Sequence, residues 1–324
     1  MEKLLKIAGI LLLIIVIIAA ACGFYVKTML PDVGPAQNFS LDRSDKRIQR
    51  GKYLANHVAV CMDCHSTRSQ ELFAGPLVAG NFGGGGEKFN KDMGFPGNFY
   101  SRNITPYALG SWTDGEIFRA ITTGVSKDGH ALFPVMPYHA YGKLDQEDLY
   151  SIIAYVRTLP AVKNDVPASE ADFPVSLLIN TMPVSASLSV RPKDTDILAR
   201  GGYLVTAAAC VECHSKMEKG AKVPGTEFGG GMEFGLPGGT VRSANITPDK
   251  TTGIGNWSEA DFVKRFKLYA DSAYVPHKVG PNDMNTPMPW TMYAGMEEDD
   301  LKAIFAYLKS LKPISHQVTK FSQN

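Results

Sequence analysis

The chain repeats itself, and no other feature of the 324-residue sequence restricts its fold as much. Arg50-Gly51-Lys52-Tyr53-Leu54 returns as Arg200-Gly201-Gly202-Tyr203-Leu204. Cys61-Met62-Asp63-Cys64-His65 returns as Cys210-Val211-Glu212-Cys213-His214. Asn103-Ile104-Thr105-Pro106 matches Asn245-Ile246-Thr247-Pro248, Trp112 matches Trp257, Met136-Pro137 matches Met288-Pro289, and Ala154-Tyr155-Val156 matches Ala306-Tyr307-Leu308. The order is the same in both copies and the offset stays between 142 and 152 residues. Two copies of one domain are therefore expected, at 43–160 and 194–313. Residues 27–42 read as a tether, because Pro31, Gly34 and Pro35 oppose a continuous helix. Residues 161–193 read as a linker whose apolar run Phe173 to Met182 should lie against a domain face. The polar tail 314–324 is expected to fray.

Apolar spacing predicts a mainly α-helical fold. Helices are expected over 44–57 and 194–207, each leading into a cysteine motif. Further helices are expected over Thr113 to Gly124, Ser258 to Ala270, Asp145 to Leu159 and Glu297 to Leu311, the last two with acidic first turns. Gly80 to Gly86 and Gly225 to Gly239 read as loops; they lack the Lys-Ser/Thr ending and preceding strand of a phosphate cradle. Gly51 and Gly201 on the leading helices, with Tyr155 and Tyr307 on the closing ones, predict a close helix crossing in each copy.

Four of the five cysteines sit in the two Cys-x-x-Cys-His motifs, and the fifth is Cys22. This pentapeptide is the haem c attachment signature. Cysteines three apart share one face of a helical turn and can form thioethers to two vinyl groups of one porphyrin. The next residue, His65 or His214, then supplies an axial ligand to the iron. A zinc site would need further Cys or His ligands, and a redox Cys-x-x-Cys pair needs no adjacent histidine. Two covalently bound haem c groups are expected, attached at Cys61, Cys64, Cys210 and Cys213.

A methionine thioether on the far side raises a haem potential and closes the sixth position. Met136 lies 71 residues after His65, and Met288 lies 74 after His214, each before a proline and the last helix of its copy. They are the expected distal ligands. Met284 and Met292 are alternatives for the second iron, and His139 and His277 are the non-methionine candidates. Asn103, Thr105 and Trp112, with Asn245, Thr247 and Trp257, are candidate donors to haem propionates, against the plainer reading of a structural turn beside a core tryptophan.

Ile7 to Val26 is a run of 20 uncharged residues, long enough to span a bilayer. Lys3 and Lys6 precede it, which places the N-terminus in the cytoplasm and the rest of the chain on the outer, periplasmic side. Segment 1–26 is thus expected to be a retained membrane anchor. Lipidation at Cys22, after Ala19-Ala20-Ala21, and simple cleavage of a signal peptide are the alternatives. Net charge is +1, so no nucleic-acid partner is expected. Residues 43–160 carry 13 basic and 11 acidic side chains and residues 194–313 carry 13 and 15, so neither copy has a strong steering field.

Both copies resemble class I cytochrome c domains, small α-helical folds. The wording Asn-Ile-Thr-Pro, Gly-x-Trp, Met-Pro and a helix ending Ala-Tyr-x-x-x-Leu, with Lys250 to Phe262 in particular, is similar to the membrane-bound cytochrome c subunits of bacterial alcohol, gluconate and aldehyde dehydrogenases. The resemblance covers 43–313. Together with the apolar run, the expected architecture is an N-terminal transmembrane helix followed by two tandem class I cytochrome c domains. The resemblance also implies electron transfer between a membrane dehydrogenase or quinol-oxidising complex and a cytochrome or terminal oxidase of the respiratory chain. Many members have three haem domains and a C-terminal anchor, whereas this chain has two motifs and an N-terminal apolar segment. Two six-coordinate irons leave no open position, so no catalysis of its own is expected; a dihaem enzyme such as a cytochrome c peroxidase is the alternative.

Overall fold

The computed structural model describes residues 1–218 and 220–323. It begins with a 28-residue helix, Glu2–Met29, that buries none of its side chains. Its best 18-residue window has a mean hydropathy of 3.0, so by length and composition it is able to cross a membrane. The helix runs three residues beyond the expected end at Val26. The tether that follows is docked rather than free: Leu41 N–H donates to Asp114 at 3.0 Å, and Phe39 packs on Phe118 and Tyr150.

The two copies then fold alike. Asp45–Tyr53, extended by a wide turn over Leu54–Val58, leads into the one-turn helix Cys61–Cys64. The helices Asp114–Thr123, Tyr138–Tyr141 and Gln146–Val156 follow. In the second copy the corresponding elements are Ile197–Ala207, Cys210–Cys213, Glu259–Lys267, Trp290–Tyr293 and Glu298–Ser310. Local sequence explains where they start. Thr113 and Ser258 each close a capping box with the residue three on, Glu116 and Asp261. Asp145 caps its helix by accepting from the Glu147 and Asp148 amides.

In each copy the leading helix packs on the closing helix, and the crossing needs glycine. A Cβ on Gly51 would run into the Ser151 carbonyl and the Tyr155 Cβ, and one on Gly201 into the Ala303 carbonyl and the Tyr307 Cβ. The paired cores are apolar, with Leu54, Val58, Leu149 and Ile153 in the first copy and Leu204, Leu301, Ile304 and Leu308 in the second.

The halves meet across a seam with near-twofold exchange. Arg50 binds Asp148 through two bonds of 2.9 and 2.8 Å, and that carboxylate also accepts from the Tyr203 hydroxyl at 2.7 Å. In mirror fashion Arg200 binds Asp300 at 2.8 Å, and Asp300 accepts from the Tyr53 hydroxyl. Burial, reinforced by these carboxylates, raises both phenols well above the ordinary tyrosine range. The Arg-Gly-x-Tyr-Leu repeat thus serves two contacts at once, one within its half and one to the other.

The long stretches between motif and middle helix hold short hairpins that the apolar pattern does not predict. Lys88–Phe89 pairs with Gly97–Tyr100, and Glu233–Leu236 pairs with Gly239–Arg242. A third strand joins each. Glu170–Ala171 adds to the first hairpin from within the expected linker, and Phe321–Gln323 adds to the second from the expected tail. The described part of the tail, 314–323, is therefore bound to the second half. Ile314 N–H donates to Thr247 and Ile314 O accepts from Asn245, just as Val162 N–H donates to Thr105 and Val162 O accepts from Asn103. Residues after 160 and after 313 are thus paired to the half they follow. The later linker is also held, Ser187 N–H on Gly142 O at 2.8 Å and Ser189 on Lys143 O at 2.7 Å.

Candidate functional site

Each cysteine motif opens on a residue in the left-handed region, Val60 with φ 45° and Ala209 with φ 51°. That conformation is unfavourable for a β-branched residue, at a cost of about 1–3 kcal/mol, and it recurs at the same position of both copies. It breaks the leading helix and starts the one-turn Cys-x-x-Cys helix in a new direction. His65 N–H donates to Cys61 O and His214 N–H to Cys210 O, both at 2.9 Å, so each histidine sits one turn after the first cysteine. Burial pushes the Cys61, Cys64 and Cys210 thiols up to about 12.

The histidines are aimed by the backbone. His65 Nδ1 binds the Arg102 carbonyl at 2.7 Å and His214 Nδ1 binds the Ala244 carbonyl at 2.7 Å. With a carbonyl as acceptor, Nδ1 carries the proton and Nε2 is left as the lone-pair nitrogen. Burial lowers both imidazoles' proton affinity, opposed by the carbonyl bonds, which favours the neutral ring. The glycine loops make this possible. Gly85 (φ 70°) and Gly230 (φ 72°) lie so close to the Arg102–Asn103 and Ser243–Ala244 backbone that no Cβ would fit, and their amides donate to the His65 and His214 carbonyls at 2.9 and 3.0 Å. Sequence reasoning classed these stretches only as loops.

Met136 and Met288 are half-buried against the core, each just ahead of a one-turn helix, Tyr138–Tyr141 or Trp290–Tyr293. A buried tyrosine ties that helix to the cysteine side: Tyr141 donates to Ala59 O and Tyr293 to Ala208 O, both at 3.0 Å. Each acceptor lies two residues before the first cysteine of its motif. These tyrosines escaped sequence reasoning, although the repeated spacing Met-Pro-x-x-x-Tyr marks them. The other candidates sit elsewhere. Met284 is exposed and Met292 is buried in the core. His139 packs beside Tyr138, and His277 stacks on Phe73 of the opposite half at 4.9 Å.

The Asn-Ile-Thr-Pro segments are occupied with backbone. Asn103 Nδ2 donates to Val162 O and Asn164 O, and its Oδ1 accepts both the amide and the hydroxyl of Thr105. Asn245 likewise donates to Ile314 O and Thr252 and accepts from Thr247. Both pairs are buried, and they anchor the chain returning from the closing helix. Arg102 donates to Pro167 O and Arg242 to Glu233. Trp112 is half-buried, its carbonyl held by Arg157, while Trp257 is exposed.

Among the described residues no three His, Cys, Asp or Glu side chains are close enough to share a metal. A porphyrin asks less of the chain: two thiols on one turn and one imidazole nitrogen facing outward, both of which each half supplies. The residues fit a haem c group.

Residues 198–312 match the cytochrome c family model, and such a domain implies covalently bound haem c. The chain is 30% identical over 291 residues to the cytochrome c subunit of a quinone alcohol dehydrogenase from Gluconacetobacter polyoxogenes, covering 84% of this chain and 58% of the relative. It is 30% identical over 276 residues to the fructose dehydrogenase cytochrome subunit of Gluconobacter japonicus, covering 82% and 52%. A diheme cytochrome c-type protein of Cereibacter sphaeroides is 25% identical over 264 residues, covering 78% of this chain and 82% of that one. The chain spans little more than half the length of the dehydrogenase subunits it matches.

Proposed function

We propose that this chain, similar to dehydrogenase cytochrome c subunits, is a dihaem electron carrier held at a membrane, with one haem c in each of two tandem cytochrome domains. Cys61 and Cys64 hold the first haem and Cys210 and Cys213 the second, through thioethers formed by adding each S–H across a vinyl group. His65 and His214 would hold the irons together with Met136 and Met288. The haem groups, once bound there, would supply one-electron redox chemistry at iron. The chain's own residues orient and insulate. The Arg102 and Ala244 carbonyls hold the imidazoles in one tautomer, and Tyr141 and Tyr293 clamp the methionine side to the cysteine side. The Tyr–Asp exchange at the seam fixes one half against the other. Glu2–Met29 tethers the halves to the outer face of the cytoplasmic membrane. There they pass electrons from a membrane dehydrogenase or quinol-oxidising complex to a cytochrome or oxidase.

The observation that carries this reading is the duplicated histidine geometry, Nδ1 to a backbone carbonyl at 2.7 Å in both halves, one residue after a Cys-x-x-Cys turn. The pyridine haemochrome of purified protein should give two haems per polypeptide, and the denatured chain should keep its haem stain. One haem per chain, or haem released by acid acetone, overturns it. Purification from gently solubilised membranes should bring along a dehydrogenase or an oxidase.

A further inference from the structure

No charged residue occurs from Phe173 to Val190, between Asp172 and Arg191, in a chain that is 20% charged. A surface segment of a water-facing domain is not expected to be so bare. Its first part folds as two short turns, Val175–Leu178 and Ile179–Thr181, packed against the far end of the Glu2–Met29 helix. Asn180 Nδ2 donates to the Val26 carbonyl at 3.2 Å. Val26 is the last residue of the uncharged run, so this bond places Asn180 at the level where the hydrocarbon core ends.

Large apolar side chains stand out from the segment. Phe173 is 82% exposed, Leu178 45% and Val184 44%. Phe24 and Tyr25, on the same end of the helix, are also exposed. Aromatic rings at the two edges of a bilayer and short apolar segments lying in its plane are how proteins make shallow membrane contacts. The carboxylate at the start of the segment, Asp172, is paired to Lys91 at 3.0 Å, which reduces its cost near lipid.

We propose that residues 173–184 are a second membrane contact, lying in the outer interface of the phospholipid bilayer with Phe173 and Leu178 directed among the lipids. This rests on the reading of Glu2–Met29 as an anchor. A second contact beside the helix limits the tilt of the halves and sets which face of each half looks along the membrane.

The test is photolabelling of the full chain in native membranes with a bilayer-partitioned carbene reagent, followed by mapping of labelled peptides. Label is expected on the anchor and on 173–184, with loss from 173–184 in Phe173→Asp/Leu178→Asp while the haem spectrum is retained. The wild-type map decides by itself if that variant misfolds. Label on the anchor alone overturns the second contact and leaves the anchor standing. No label on either overturns both. Label on 173–184 in vesicles of phosphatidylcholine but not in native membranes means that a protein partner covers the segment, and also overturns it.

Discussion

In the first half the two middle residues of the Cys-Met-Asp-Cys turn are buried: Met62 fully, and Asp63 paired to Arg68 at 3.0 Å. In the second half Val211 and Glu212 are partly exposed, and Glu212 reaches Lys222 at 2.7 Å near the surface. The distal sides differ too. The first half's middle helix stops at Gly124, in the left-handed region, with Tyr138 packed on it. The second continues through Leu268–Ala270, which stacks Tyr269 on Trp290 at 5.2 Å, with Arg265 over the same indole at 4.5 Å. The contacts that aim the histidine, clamp the methionine segment, cross the helices and lock the seam are nevertheless the same in both. The two halves share their geometry but differ in their surroundings; if each holds a Met-ligated haem as proposed, the two irons would sit at different potentials.

The most forceful way to sharpen this contrast is to remove one methionine at a time. Met136→Ala and Met288→Ala should each abolish the near-infrared Met–iron band of one haem only, and lower that haem's potential by on the order of 0.1–0.3 V. The loss assigns each potential to its half. If Met288→Ala leaves the second haem unchanged, the ligand is Met284 or Met292, and the matched geometry fails on its distal side.

Next in size is the helix crossing. Gly51→Ala and Gly201→Ala should each destabilise their half by roughly 3 kcal/mol, since the new methyl meets carbonyl backbone rather than a flexible side chain. Denaturant unfolding followed by haem absorbance measures it. A large cost in one half and none in the other would break the equivalence of the two crossings.

The seam comes last. Tyr53→Phe and Tyr203→Phe should cost about 1–2 kcal/mol each, because each leaves a buried carboxylate one donor short. The same bonds predict a pH effect. A phenol whose folded pKa is raised above its unfolded value of 10.0 contributes stability that is fully present below pH 10 and is lost as pH rises beyond it. Unfolding midpoints should fall above pH 10 in the wild-type protein, and less so in the double Phe variant.

Most helices were legible because their signals are local. Capping residues at Thr113, Asp145 and Ser258 and apolar residues at helical spacing set starts and faces within a few residues. The glycine–tyrosine crossings were legible because both partners recur at the same place in each copy. The hairpins were not: their strands are two to four residues long and rich in glycine, too short for alternation to register. The tail looked free for a related reason. Its polar composition hides that Ile314 and Phe321–Gln323 bind through backbone groups, which any side chain can present.

Residue spacing by itself determined the chemistry on offer: two thiols and an imidazole on one turn, given twice, and one uncharged run long enough for a bilayer. Those features span no more than a few turns of chain, so sequence carries them whole. Only the tertiary structure decided where the ring nitrogens point, since His65 is aimed by a carbonyl 37 residues away. It alone decided that Tyr53 crosses to Asp300, 247 residues on, rather than to its own half. A hydrogen bond between distant groups leaves no periodic trace in the chain; it exists only once packing has brought donor and acceptor within reach and excluded the water that would otherwise satisfy them.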